Sequence, residues 1–300
     1  RSALASRFRS HGDGILQTSA FPASRALSAM SSHSLKIHHY PAKRKSQRPP
    51  LLFVHGGYTN ARCWEHNFIP YFQQRGYDCH ALDLSGHGAS GGHERLHDLG
   101  IKDYARDVAH AVAELPARPV LIGHSMGTLV LRSYLSGAPD AAAGVALLSP
   151  VPPTGTGGSA SRLALQQPDF FAELPNVLAG KPTANTLKVM ASVYFSPDVS
   201  PEDTLQFMPM IGNESDQAVA EMITLPFAAA TRTPRLPALV MGGSHDAVFP
   251  ASMLFFTALP WRARTVTVDR AGHMLMLDPQ WPQAAEALGS WLDSLPPREA

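Results

Sequence analysis

Val120-Leu121-Ile122-Gly123-His124-Ser125-Met126-Gly127-Thr128-Leu129-Val130 is the stretch whose reading decides the fold. Its opening run is apolar without alternation, which suits a strand covered on both faces. From Met126 onward the pattern suits a helix. Between the two lies a G-x-S-x-G, so Ser125 sits on a strand-to-helix turn too sharp for ordinary neighbours. Glycine at 123 and 127 relieves that crowding. Such a turn lifts a hydroxyl clear of the sheet. It also leaves the Met126 N–H, at the start of the helix, free to face developing negative charge.

Outward from this turn the chain alternates strands and helices. Residues 33–40 alternate like an early edge strand, and 51–55 are an apolar run that ends in Gly56-Gly57. A helix over 67–75 puts Phe68, Ile69 and Phe72 on one face, and Gly76 closes it. A strand over 77–82 leads to Asp83 and a Gly-rich loop over 85–92. A helix over 101–115 carries Tyr104, Val108, Ala111 and Val112 at helical spacing. Strands over 119–123 and 144–149 flank a helix over 126–135. The rhythm breaks after Pro150, and residues 151–233 hold no clear strand. It resumes at 238–242 and 264–268, and a helix over 281–295 closes the chain. This order predicts an α/β fold with a mostly parallel sheet flanked by helices. Residues 35–150 and 234–300 form the core, 151–233 a helical cap, and 1–34 a basic, flexible arm.

A serine hydroxyl needs a base to take its proton, and the base needs a carboxylate on its other nitrogen. His273 is the histidine that follows the last strand in a turn, and it is the predicted base. Asp246, in Gly242-Gly243-Ser244-His245-Asp246 just past a strand, is the predicted orienting acid. The order Ser, Asp, His is the one a G-x-S-x-G turn calls for. Asp269 ends a strand, Asp278 reads as the cap of the closing helix, and His124 points away from the nucleophile. The second oxyanion donor belongs to the loop after the first buried strand: Gly57 N–H first, Tyr58 N–H second. His55 pins that loop by hydrogen bonds. Tyr58, Trp64 and Phe249 are the predicted pocket residues. The insertion carries Phe170, Phe171, Met190, Tyr194, Phe195, Phe207, Met208 and Met210, which either line an acyl-chain site or pack the cap onto the core.

His-Gly-Gly at 55–57, D-L-S-G-H-G-A-S at 83–90, G-H-S-M-G at 123–127, a late Asp246 and Gly272-His273 together resemble the α/β-hydrolase superfamily. The likeness runs over about residues 50–295. The elbow and the G-H-G-x-S loop are most similar to monoacylglycerol lipase and lysophospholipase-like members and to small carboxylesterases. The resemblance implies an eight-stranded sheet with the site at the strand C-termini, a cap, and Ser125, Asp246 and His273 as a triad. Members with an aspartate nucleophile are set aside by Ser125.

Composition narrows the rest. Hydrophobic content of 44% against 16% charged residues is that of a globular protein. No apolar run is long enough for a membrane span. Residues 1–49 hold nine Lys/Arg and one acid, so the remainder carries the negative balance. An acidic body argues against nucleic acid as a partner. The arm reads as a disordered or leader segment with Met30 as a natural start, and its Arg/Ser/Ala content is also that of an organelle-targeting segment. Cys63 and Cys79 form no metal or CxxC spacing and fit a reducing, cytoplasmic setting. His87, His93 and His97 lie in Gly-rich surroundings that give no rigid helix, so no metal and no cofactor is expected. The expected function is hydrolysis of carboxylic esters with apolar acyl groups, from monoacylglycerols or lysophospholipids to small esters, through an acyl-enzyme. The same triad also serves thioesterases, acyltransferases and C–C bond hydrolases. A non-catalytic binding protein on this fold is the reading of another class.

Overall fold

Consecutive apolar residues in the central strands feed two different cores. In β2 (Leu51–Val54), Leu51 and Phe53 belong to one core and Leu52 and Val54 to the other, and none of the four is exposed. The same division runs through β4 (Val120–His124) and β5 (Gly144–Leu148), whose residues are all buried. A strand packed on both faces must be apolar throughout, which is why these segments show no alternation.

The structure, a computed structural model, describes residues 34–44, 46–228 and 233–296. With β1 (Lys36–Tyr40), β3 (Cys79–Asp83), β6 (Ala238–Gly243) and β7 (Arg264–Val268), the sheet has the order β1-β3-β2-β4-β5-β6-β7. Among the described residues only β1 pairs antiparallel, with His39 opposite His80. The sheet thus has seven strands among the described residues, not the eight implied by the resemblance, because β1 forms one edge with β3 as its single neighbour. The arm assigned to residues 1–34 lies, but for its last residue, outside the described residues.

One face of the sheet carries α1 (Phe68–Gln74) and α10 (Trp281–Asp293). The other carries α2 (Ile101–Glu114), α3 (Met126–Gly137) and α9 (Leu254–Trp261). Between β5 and β6 come α4 (Gly157–Gln166), α5 (Pro168–Leu178), α6 (Ala184–Tyr194), α7 (Pro201–Phe207) and α8 (Asp216–Ala228). Leu163, Phe170, Val177, Val189, Met190 and Val193 give this insertion a small core of its own. The helix α4 begins on Gly157-Gly158, a pair that reads as loop in sequence. Pro168 opens α5, where its missing N–H is harmless. No helix among the described residues is long and apolar enough to cross a membrane.

Ser125 joins β4 to α3 with φ 50° and ψ −119°. Its own N–H donates to Leu148 O at 2.9 Å, which ties the turn to β5. A Cβ on Gly127 would stand 2.5 Å from His55 O and 2.7 Å from Val54 O. Alanine there gains about 1 kcal/mol of helix propensity but meets immovable backbone, at a cost of about 3 kcal/mol or more. Gly127→Ala is therefore expected to lose about 2 kcal/mol of stability. A urea midpoint equal to that of the wild type would contradict this packing.

Candidate active site

Three residues from three strand ends meet in one line. Ser125 Oγ lies 3.1 Å from His273 Nε2, and His273 Nδ1 lies 2.9 Å from Asp246 Oδ2. Asp246 follows β6 and His273 follows β7, so both leave the sheet at the same C-terminal edge as Ser125 after β4. The other oxygen, Asp246 Oδ1, accepts the N–H groups of Val248 at 2.8 Å and Phe249 at 2.7 Å. An acceptor-only carboxylate is thereby fixed in orientation, and His273 Nδ1 is left to donate. Side-chain exposure of His273 and Asp246 is 3% and 1%, so the pair is shielded while Ser125 stays partly open.

The backbone of His273 is held from behind. Its carbonyl accepts from His124 Nε2 at 3.0 Å and from Ser149 Oγ at 2.8 Å. His124 Nε2 is thus directed at the back of the histidine, although the residue also borders the pocket. Burial, with the neighbouring His273 adding to it, drives the His124 pKa well down, so the ring is neutral. Asp278 is fully buried and does more than open the last helix. One oxygen accepts from Gln280 N at 2.9 Å, and the other from Gly272 N at 3.0 Å and Ser196 N at 2.6 Å. It ties the His273 turn to the chain after α6, and Gln280, not Asp278, caps α10.

On the far side of Ser125 runs the loop after β2. His55 accepts from Leu84 N at 3.1 Å through Nε2 and donates to Gly56 O at 2.8 Å through Nδ1. Burial, with His87 nearby, lowers its pKa to about 4. This has a consequence for stability. A group with a folded pKa below its unfolded value takes up protons preferentially in the unfolded chain. Stability should therefore fall as pH drops from about 6.5 to about 4, by about 3 kcal/mol for His55. Urea midpoints at pH 7 and pH 4.5 test this, and equal midpoints would contradict a neutral buried His55.

Of the two N–H groups in this loop singled out from sequence, that of Tyr58 is already engaged, donating to Glu214 Oε2 at 3.2 Å. Gly57 packs against the Glu214 carboxylate and the Met126 side chain, with an ideal Cβ 3.3 Å from Glu214 Oε2. Glu214 lies before α8 and nothing in the sequence singles it out. Its partners are distant in the chain, and only burial reveals it.

Ser125 and His273 open into a pocket whose walls include Tyr58, Leu163, Phe170, Tyr194, Val248 and Phe249. Tyr58 and Phe249 thus line it as expected from sequence, but Trp64 does not. That indole is fully buried, packed on Phe53 and Phe68 with its edge toward His124. A second, narrow apolar cavity shares Gly57, Tyr58, Leu174, Tyr194 and Met274 with the first. Met190, Phe207, Met208 and Met210 are among its other walls.

The three histidines of the Gly-rich segment do not converge. His87 pairs with buried Glu214 at 3.2 Å, and His97 with exposed Asp216 at 3.1 Å. Among the described residues, His39, Asp78 and His80 bring ligand atoms within 4.8 Å of one another, on β1 and the start of β3, toward the other end of the sheet from Ser125. That trio was hidden in sequence because it depends on the β1–β3 register. Cys63 and Cys79 are both buried and unbridged.

Comparison with known proteins bears on this geometry. A family model for the alpha/beta hydrolase fold matches residues 49–280. A pyrethroid hydrolase from Sphingobium wenxiniae is 32% identical over 102 residues, 34% of this chain and 35% of that one. A non-heme haloperoxidase from Rhodococcus erythropolis is 36% identical over 107 residues, 35% of this chain and 38% of that one. The chain thus spans little more than a third of the length of these curated relatives. Among solved structures, an esterase from Exiguobacterium antarcticum superposes with a TM-score of 0.70 at 17% identity, covering 87% of this chain and 96% of that one. At that identity the likeness speaks for the fold.

Proposed function

The chain belongs to the α/β-hydrolase fold family, and from that premise we propose that it is a serine hydrolase acting on carboxylic esters. The observation that carries the reading is the hydrogen-bonded line from Ser125 through His273 to Asp246 at the head of an open pocket. His273 Nε2 takes the Ser125 proton as Oγ attacks the ester carbonyl. The tetrahedral oxyanion is held by the Met126 and Gly57 N–H groups. His273 then protonates the leaving alcohol, and an acyl group remains on Ser125. Water activated by His273 releases the acid. Asp246 keeps the proton on Nδ1 and stabilises the imidazolium. Residues 151–233 serve as a cap that supplies most of the apolar wall.

The substrate reading rests on that wall. Leu163, Phe170 and Phe249 around Ser125, and the methionine-rich second cavity, suit an apolar acyl chain in an ester of the monoacylglycerol, lysophospholipid or simple alkyl kind. Each methylene buried is worth about 0.8 kcal/mol, or about fourfold in kcat/KM. A straight-chain ester series from acetyl upward should therefore climb steeply. A flat or falling series would sink the apolar-acyl reading. Preference for a β-diketone or a thioester over every ester would replace ester cleavage by C–C or thioester cleavage on the same residues.

A further inference from the structure

We propose that Glu214 is a positioning residue that holds the loop at Gly57 and Tyr58 in the conformation needed to stabilise the oxyanion. The inference rests on the serine-hydrolase reading for its chemistry but on separate observations for its geometry. Glu214 has no side-chain exposure and accepts four hydrogen bonds. Oε2 takes Tyr58 N–H at 3.2 Å and His87 Nε2 at 3.2 Å. Oε1 takes Ser215 N–H at 2.7 Å and Tyr104 OH at 3.0 Å. His87 Nδ1 lies 3.0 Å from Ser85 O, so both ring nitrogens have partners.

Two further bonds run beside this one. Gly212 N donates to Tyr58 O at 3.0 Å, and Asn60 Nδ2 donates to Met210 O at 3.3 Å. Residues 210–214 therefore grip residues 58–60 at three points, and the carboxylate is the one next to the proposed donor. Tyr58 needs the grip. It adopts φ 60°, a left-handed conformation that costs a non-glycine residue about 1 kcal/mol or more. Released, Tyr58 would relax toward negative φ and rotate the Gly57–Tyr58 peptide, with the Gly57 N–H adjoining it. Burial alone would raise the Glu214 carboxyl, but the hydrogen bond and charge of His87, with Ser215 N–H and Tyr104 OH, hold it below the usual range. An anion is a stronger acceptor for a strained N–H than a neutral group. A carboxylate buried this completely is costly where it has no task beyond packing.

The test compares Glu214→Gln, which keeps an oxygen for Tyr58 and His87, with Glu214→Met, which keeps only bulk. On a short-chain ester, Glu214→Met should lose roughly 10- to 100-fold in kcat per titrated active site with KM within about threefold. Glu214→Gln should fall between the wild type and Glu214→Met in kcat, because its oxygen keeps Tyr58 N–H while the charge is lost and the NH₂ faces Ser215 N–H. A purely structural latch lowers the folded fraction but leaves kcat per folded molecule intact in both variants. Normal kcat in Glu214→Met would overturn the proposal. Amide exchange at Tyr58 gives a readout independent of turnover: slow in the wild type and Glu214→Gln, fast in Glu214→Met. If Glu214→Met does not fold, or the wild type cleaves no ester, exchange in the wild type decides. Slow exchange of that amide upholds the grip on Tyr58 from which the role is inferred, and fast exchange overturns the proposal. Absence of ester cleavage with a slow Tyr58 amide counts against the catalytic reading and not against the grip.

Discussion

Ser125→Ala is expected to lower kcat by about 10⁴-fold or more, toward the residual rate that binding and oxyanion donors alone sustain. The expectation follows from geometry. The Ser125 hydroxyl bonds His273 Nε2 at 3.1 Å and stands where α3 begins, facing a pocket otherwise walled mainly by apolar groups. Stability should hardly move. The substitution removes one partly exposed hydrogen bond, worth about 1 kcal/mol, and the strained φ of 50° is as unfavourable for alanine as for serine. Thermal midpoint and turnover thus separate cleanly. A variant with an unchanged midpoint and near-normal ester hydrolysis would remove Ser125 from the reaction.

Asp246→Asn should cost about as much, near 10⁴-fold in kcat, for a reason the hydrogen bonds make explicit. Oδ1 accepts two backbone N–H groups, from Val248 and Phe249. In asparagine the carbonyl oxygen must keep that place, because the amide NH₂ would face two donors. The NH₂ then points at His273 Nδ1 and donates to it. The ring proton moves to Nε2, and Nε2 can no longer accept the Ser125 proton. The loss should ease at high pH, where hydroxide supplies the missing base. If Asp246→Asn retained a tenth or more of wild-type kcat at pH 7, His273 would not depend on Asp246 for its tautomer.

What could be read from the sequence, and what could not, divides along a physical line. Segments such as Leu51–Val54 and Val120–His124 are legible because burial on both faces demands unbroken apolar runs, and the turn at Ser125 because glycine is needed where backbone crowds. The regular β-α order gave the parallel sheet, and the matching family and solved structures agree with that fold. Ser125, Asp246 and His273 could be picked out because each follows a strand in a turn, and the structure brings them within hydrogen-bonding distance. Features that depend on contacts far apart in sequence stayed hidden. Glu214 meets Tyr58, Tyr104 and His87 across more than a hundred residues. Asp278 looked like a helix cap because its bond to Gln280 is local, while those to Ser196 and Gly272 are made by the fold. Trp64, a predicted pocket residue, instead packs on the Phe53 and Phe68 rings in the core, a contact that only the fold creates. The start of α4 on Gly157-Gly158 is not legible in the sequence, because a glycine pair favours a loop, whereas the helix is fixed by packing within the insertion.

The central claim is that Ser125 is an activated nucleophile. Labelling the folded protein with a fluorophosphonate, followed by peptide mapping of the adduct, tests it most directly. The account predicts a single phosphonyl adduct on Ser125, formed in the wild type and absent from a folded His273→Ala protein treated for the same time. Reaction at another residue, or none on a protein shown to be folded, would contradict it.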